Sequence, residues 1–238
     1  MTDKLKSKQT QAGFSLIELI IAMTITLVVL GVATTLLAQA LNIRARANDN
    51  VDALADAERA LNIMSREIAQ AGFNLTDNGI VVADSVTDAN GNSTIRIRAN
   101  LNKFDTSASD TARNGIGVAG EDIGEDIKYY IYPTTNTTLL ARYDALDNSG
   151  PTSTVLANRL DAMHIHYFAQ KVTYGTNGCD ITGASSAEVA PNLATYVVIA
   201  VCVQQSATGK AGSPGYQPAH SLLLSTDVAL RNANLVNY

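Results

Sequence analysis

The chain changes rhythm twice along its length. From Leu19 to Ile43 there are 25 residues without a charged side chain, apolar on every side. As a helix that run spans about 37 Å, enough for a hydrocarbon core of ~30 Å. Residues 44–71, RARANDNVDALADAERALNIMSREIAQA, are patterned differently. Val51, Leu54, Leu61, Met64 and Ile68 recur at helical spacing with Ala57 among them, and Asp52, Asp56, Arg59, Arg66 and Glu67 take the other side. No proline precedes Pro133, and Gly72 supplies a C-terminal stop. The pattern predicts one helix from about residue 14 to 71, with apolar residues all round at first and then in one stripe.

After Gly72 the period falls to two. STIRIRAN alternates cleanly, EDIKYYIY and TTLLARYD flank Pro133 as the arms of a hairpin, and RLDAMHIHYFAQ, ATYVVIAVCVQ and SLLLSTDVAL follow. Turn-rich linkers such as TDANGNS, LDNSGPTS and TYGTNGCDITGASS separate them, and no internal repeat is evident. These runs predict a mostly antiparallel sheet whose apolar face is covered by the striped half of the helix. The fold class is therefore α+β. Its segments are a leader over 1–13, an apolar helix over 14–43, an amphipathic continuation over 44–72 and a β-rich globular domain over 73–238.

Charge sharpens this division. The chain carries a net −5, but Lys4, Lys6 and Lys8 all precede residue 14. Without residues 1–13, 14 basic side chains face 21 acidic ones, a net −7. A basic leader before an acidic body is the asymmetry of a segment held on the cytoplasmic side. No basic block is present for phosphate contacts, so nucleic-acid binding is not expected. A cleaved secretory signal would have a shorter apolar core than this one, although the small residues after the core suit such a site. One residue is out of keeping: Glu18 sits at the start of the apolar run. A carboxylate at a bilayer centre costs about 2.5–3.5 kcal/mol on insertion scales, so it must lie shallow or be paired. Cys179 and Cys202 are the only cysteines. In an exported chain they suggest one disulfide, the alternative being two free thiols with Cys202 inside an apolar strand.

The stretch KSKQTQAGFSLIELIIAM resembles the class III signal of type IV prepilins and pseudopilins: a basic leader ending in Gly, then Phe, then Glu five residues into the mature chain. ALNIMSREIAQAGFN, EDIKYYIY, RLDAMHIHYF and STDVALRNANL are similar to minor pilins of the PilW type, relatives of the GspJ pseudopilins. The resemblance implies a pilin-like fold and several residue roles. Gly13 would end the leader recognised by prepilin peptidase. Cleavage would expose the amine of Phe14, which the same enzyme N-methylates. Glu18 would pair with such an amine, its own or a neighbour's, and help set the register of packed helices. It further implies insertion in the bacterial inner membrane with the globular part periplasmic. Transfer into a pilus would follow, with other pilins and the inner-membrane assembly platform as partners. The role expected is a minor pilin supporting adhesion, twitching motility or DNA uptake. The alternatives are a type II secretion pseudopilin and a membrane-anchored adhesin that does not polymerise.

Other candidate chemistry is thin. His164 and His166 share one face of a predicted strand, a spacing metal ligation can use. With no cysteine or carboxylate near them in sequence, they read as polar residues on a solvent face, and no metal is expected. DANGNS reads as an Asn-Gly turn rather than a calcium loop, because Gly91 comes too early for one. EDIGED reads as a solvated acidic loop, and GIGVAG lacks the strand-to-helix setting of a phosphate cradle. No nucleophile and base stand in a context that presents them. The expectation is an assembly subunit without cofactor or catalytic residues.

Overall fold

The computed structural model describes residues 14–101, 123–134, 138–148, 153–205, 207, 209, 211–212 and 216–233. The leader with Gly13, the GIGVAG turn and the first two residues of EDIGED lie outside them. The chain forms two compact units, Met1–Ala47 and Asn48–Tyr238. Helix α1 (Leu16–Ala69) begins in the first and ends in the second.

In the first unit every residue from 14 to 45 is exposed, including the whole series Leu16, Ile17, Leu19, Ile20 and Ile21. The helix is long and apolar enough to cross a membrane. Its threonines fit that character: the hydroxyls of Thr24, Thr26, Thr34 and Thr35 each donate to a carbonyl three or four residues back. A hydroxyl so bonded avoids most of the cost of an unpaired polar group in apolar surroundings.

The second unit joins the end of α1 to antiparallel sheets. Strands β1 (Ile95–Arg98), β2 (Asp126–Pro133), β3 (Thr138–Asp144) and β4 (Ser153–Asn158) form one sheet in that order. Strand β5 (Leu160–Phe168) opens a second sheet, ordered β5, β8 (Tyr196–Gln205), β9 (His220–Ala229). Between β5 and β8 the chain makes a small hairpin, β6 (Gly175–Asn177) and β7 (Asp180–Thr182). The hairpin expected around Pro133 is β2–β3, closing at the pair Pro133 and Thr138.

The core lies where the helix stripe meets both larger sheets. Ala53, Ala57, Ala60, Leu61, Met64 and Ile68 pack with Ile95, Tyr129, Leu140, Met163, Ile165, Val197, Ile199 and Val201. This corrects the expected stripe in one respect. Val51 is 65 % exposed while Ala53 and Ala60 are buried. Alanines set the phase here, because a small side chain lets a helix approach a sheet closely; ranking by apolar size favoured the wrong residue.

The helix end is fastened by backbone geometry. Gly72 lies at φ 76° and Gly79 at φ 74°, a region L side chains rarely adopt. Gly72 N–H donates to the Arg98 carbonyl at 2.9 Å, and Arg98 N–H donates to the Gly79 carbonyl at 2.7 Å. The last carbonyls of a helix lack partners within it. Here the Arg231 N–H donates to the Ala69 carbonyl at 3.3 Å, and Asn232 Nδ2 donates to the carbonyls of Gln70 and Ala71 just beyond the helix, both at 3.3 Å. Buried Asn78 ties the same region to residues 191–194, its Nδ2 donating to the Pro191 and Ala194 carbonyls at 2.7 and 2.9 Å.

Candidate functional site

Two places carry the residues singled out by sequence. The first is the start of α1. Phe14 is 83 % exposed, and Glu18 stands in the first helical turn, likewise exposed. That turn leaves backbone N–H groups without helical partners and carries the positive end of the helix dipole, so a carboxylate is stabilised there. Leu19 N–H donates to the Ser15 carbonyl at 3.1 Å, placing Ser15 at the helix entry. Gly13 lies outside the described residues.

The second place is the face of the β5–β8–β9 sheet turned away from the helix. Register decides its composition. His164 pairs with Ala200 and His166 with Val198. Side chains two apart on a strand share a face, so His164, His166, Phe168, Val198, Ala200 and Cys202 all stand together. This face was expected to meet solvent. Instead Val198, Ala200 and Phe168 are fully buried, packed with Ile181 and Ala184 and flanked by Val172 and Tyr174. The β6–β7 hairpin and the segment after it cover the sheet. The sequence signal was the run YVVIAVCV in β8, apolar at both parities, which marks a strand buried on both faces.

Three kinds of link hold that cover. Cys179, in the hairpin turn, is bonded to Cys202 of β8, with Sγ–Sγ 1.95 Å and Cα–Cα 5.3 Å. Asp161 Oδ2 lies 3.9 Å from Cys179 Sγ, but sulfurs in a disulfide offer no thiolate, so this trio is not a metal site. Apolar packing is the second link. The third is polar: His166 Nε2 lies 2.8 Å from Asp180 Oδ1, and His166 Nδ1 lies 2.8 Å from Glu188 Oε1. His164 Nδ1 lies 3.8 Å from Asp180 Oδ2. Two carboxylates therefore do stand beside the histidines. They come from 14 and 22 residues away, and only the folding of the hairpin over β5 brings them in.

Charged groups elsewhere fasten sheet to sheet edge and helix to sheet. Buried Asp126 accepts from Arg96 Nε at 2.6 Å and Nη2 at 2.8 Å, and from Arg98 Nε at 3.0 Å. Arg96 Nη1 also reaches Asp84 at 2.7 Å, and Lys128 reaches Asp84 at 3.2 Å. The Arg96 hydrogen bond, aided by Lys128, holds the Asp84 carboxyl below its usual range. On the helix, Glu67 accepts from the Tyr129 hydroxyl and from Arg142 Nε, the latter at 3.0 Å. Burial, then the Glu67 charge, push the Tyr129 phenol well above its ordinary range. The helical pattern places Glu67 on the side opposite the apolar stripe; Arg142 and Tyr129 draw its carboxylate against the sheet.

Comparison with known families bears on the first place. Residues 8–34 match the prokaryotic N-terminal methylation motif. The methylation motif spans the Gly13–Phe14 junction, Glu18 and the exposed apolar start of α1 in one match, so the chain carries a prepilin-type N-terminus. Among solved structures, a type IV-like pilin from Thermus thermophilus is similar over 76 % of this chain and 97 % of that one, at 9 % identity and a TM-score of 0.40. A search of curated proteins finds no match.

Proposed function

We propose that this chain is a minor pilin. Prepilin peptidase cleaves it between Gly13 and Phe14 and N-methylates the new amine. The apolar half of α1 holds it in the inner membrane, with the globular unit periplasmic. The assembly platform then passes it into a type IV pilus among other pilins, where it primes assembly or serves adhesion, motility or DNA uptake. The observation that carries this reading is the methylation motif over residues 8–34. The physical logic lies in Glu18. A carboxylate among apolar helices is costly alone and partly compensated opposite an ammonium, so each incoming helix gains when its register brings the two together.

N-terminal sequencing of the membrane-purified protein tests the cleavage. The mature chain begins at N-methylphenylalanine 14, and Gly13→Leu leaves the leader in place. A mature terminus elsewhere, or normal processing of Gly13→Leu, sinks the assignment. Glu18→Ala is processed normally yet recovered poorly in sheared filaments. Recovery at the level of the unaltered chain removes the pairing role.

A further inference from the structure

The histidine cluster on the covered face poses a problem of charge. Asp180 and Glu188, when ionised, only accept hydrogen bonds, and each lies 2.8 Å from a nitrogen of the same ring. A neutral imidazole carries one N–H. If it donates Nδ1–H to Glu188, the Nε2 lone pair confronts Asp180 Oδ1 at 2.8 Å. That gap must hold a cation, either a second proton or a metal ion.

Three further features favour a metal. A second imidazole faces the same carboxylate, since His164 Nδ1 lies 3.8 Å from Asp180 Oδ2. The ligand atoms of His164, His166 and Asp180 do not all lie within 4.8 Å of one another, so both rings must close on the carboxylate for three of them to reach one centre at zinc-like distances of about 2.0–2.2 Å. The carboxylate is already fixed, because Asp180 Oδ1 accepts the Ile181 N–H at 2.7 Å. Glu188 occupies the position of the outer carboxylate that selects the tautomer of a metal-ligating histidine and fixes its ring. The four side chains are 16–39 % exposed, so solvent ions reach them.

We propose that His164, His166 and Asp180 bind one divalent cation of the zinc class, with Glu188 as positioning residue. Two imidazoles and one carboxylate suit zinc or its neighbours better than calcium, which takes six to eight oxygens. A fourth position remains open to water. Because Asp180 adjoins Cys179, the metal and the disulfide clip the same hairpin to the sheet.

The test uses the untagged full-length chain in detergent micelles, stripped with EDTA, dialysed and titrated with zinc chloride by calorimetry. His220 is the third and last histidine of the sequence, so His220→Gln serves as control. The unaltered chain and His220→Gln take up one equivalent. Asp180→Asn and His166→Gln lose it, and Glu188→Gln binds about 10–100-fold more weakly. Far-UV circular dichroism confirms that each variant is folded, and hydrogen exchange of the β6–β7 amides slows on adding zinc to the unaltered chain. A cluster that holds only a proton gives no saturable zinc binding, which overturns the proposal. So does one-equivalent binding that persists in Asp180→Asn and His166→Gln.

Discussion

Asp126 and Asp84 both pair with Arg96, yet they differ in what their loss does. Asp126 is buried, with 5 % of its side chain exposed, and is held by two guanidinium groups; Asp84 is 31 % exposed. Removing one partner of a buried pair leaves the other charge uncompensated and costs about 3–5 kcal/mol, whereas a more exposed pair contributes roughly 0.2–1 kcal/mol. Asp126→Asn still leaves Arg96 its Asp84 partner and Arg98 partly in solvent, so it is expected to cost about 1.5–3 kcal/mol, the worth of hydrogen bonds to a charged group, and Asp84→Asn less than about 1 kcal/mol at pH 7. The Asp84 contribution also has a defined pH window. Its carboxyl is held low by Arg96, so its stabilisation is present in full above the ordinary aspartate value near pH 4 and is lost as pH falls through the lowered one. Urea unfolding in micelles from pH 7 to pH 2 checks both. The gap between the unaltered chain and Asp84→Asn closes in acid, and a gap that widens there contradicts the account.

Elements here depend on a few backbone positions that no side chain can replace. A Cβ on Gly79 would lie 2.1 Å from the Gly72 nitrogen and 2.3 Å from the Arg98 carbonyl oxygen. Both are backbone atoms, and both belong to the bond that fastens the helix end to β1. Gly91 has a similar φ, 86°, but its Cβ would meet only a His164 ring carbon at 4.0 Å. Gly79→Ala is expected to cost at least about 3 kcal/mol, and Gly91→Ala about 1–2 kcal/mol from the left-handed backbone alone. Equal melting temperatures for the two variants would refute the close-approach argument. Much at this scale was legible in the sequence. The helix was expected over about 14–71 and observed over Leu16–Ala69, because an unbroken apolar run followed by a 3.6-residue stripe has few other solutions. The β2–β3 hairpin was legible from its turn and alternation. The alanine-led phase of the stripe was not, since alanine weighs little in any ranking of apolar size. The surroundings of His164 and His166 were not legible either. Their carboxylates lie on a hairpin whose place over the sheet depends on tertiary packing and on Cys202 facing the same way as the histidines.

The globular unit holds two apolar clusters, and they need not fail together. The larger lies between α1 and the two main sheets; the smaller lies between the back of β8 and the β6–β7 cover, around Phe168, Ile181, Val198 and Ala200. The Cys179–Cys202 bond crosses only the smaller one. It closes a loop with a sequence separation of 23, for which the chain-entropy account gives roughly 3 kcal/mol. That stabilisation is spent locally, since opening the hairpin uncovers one face of β8 and leaves the face against the helix packed. The double variant Cys179→Ser/Cys202→Ser is thus expected to exchange its β6–β7 amides much faster than the unaltered chain. Amides of β2 and β3, which belong to the sheet away from the cover, keep near-native protection. Native-state hydrogen exchange separates this from a single cooperative unit, in which all of these amides would lose protection to the same degree. A chain whose cover opens independently of its core can present β8 and the histidine face without unfolding the part that joins the helix to the sheets.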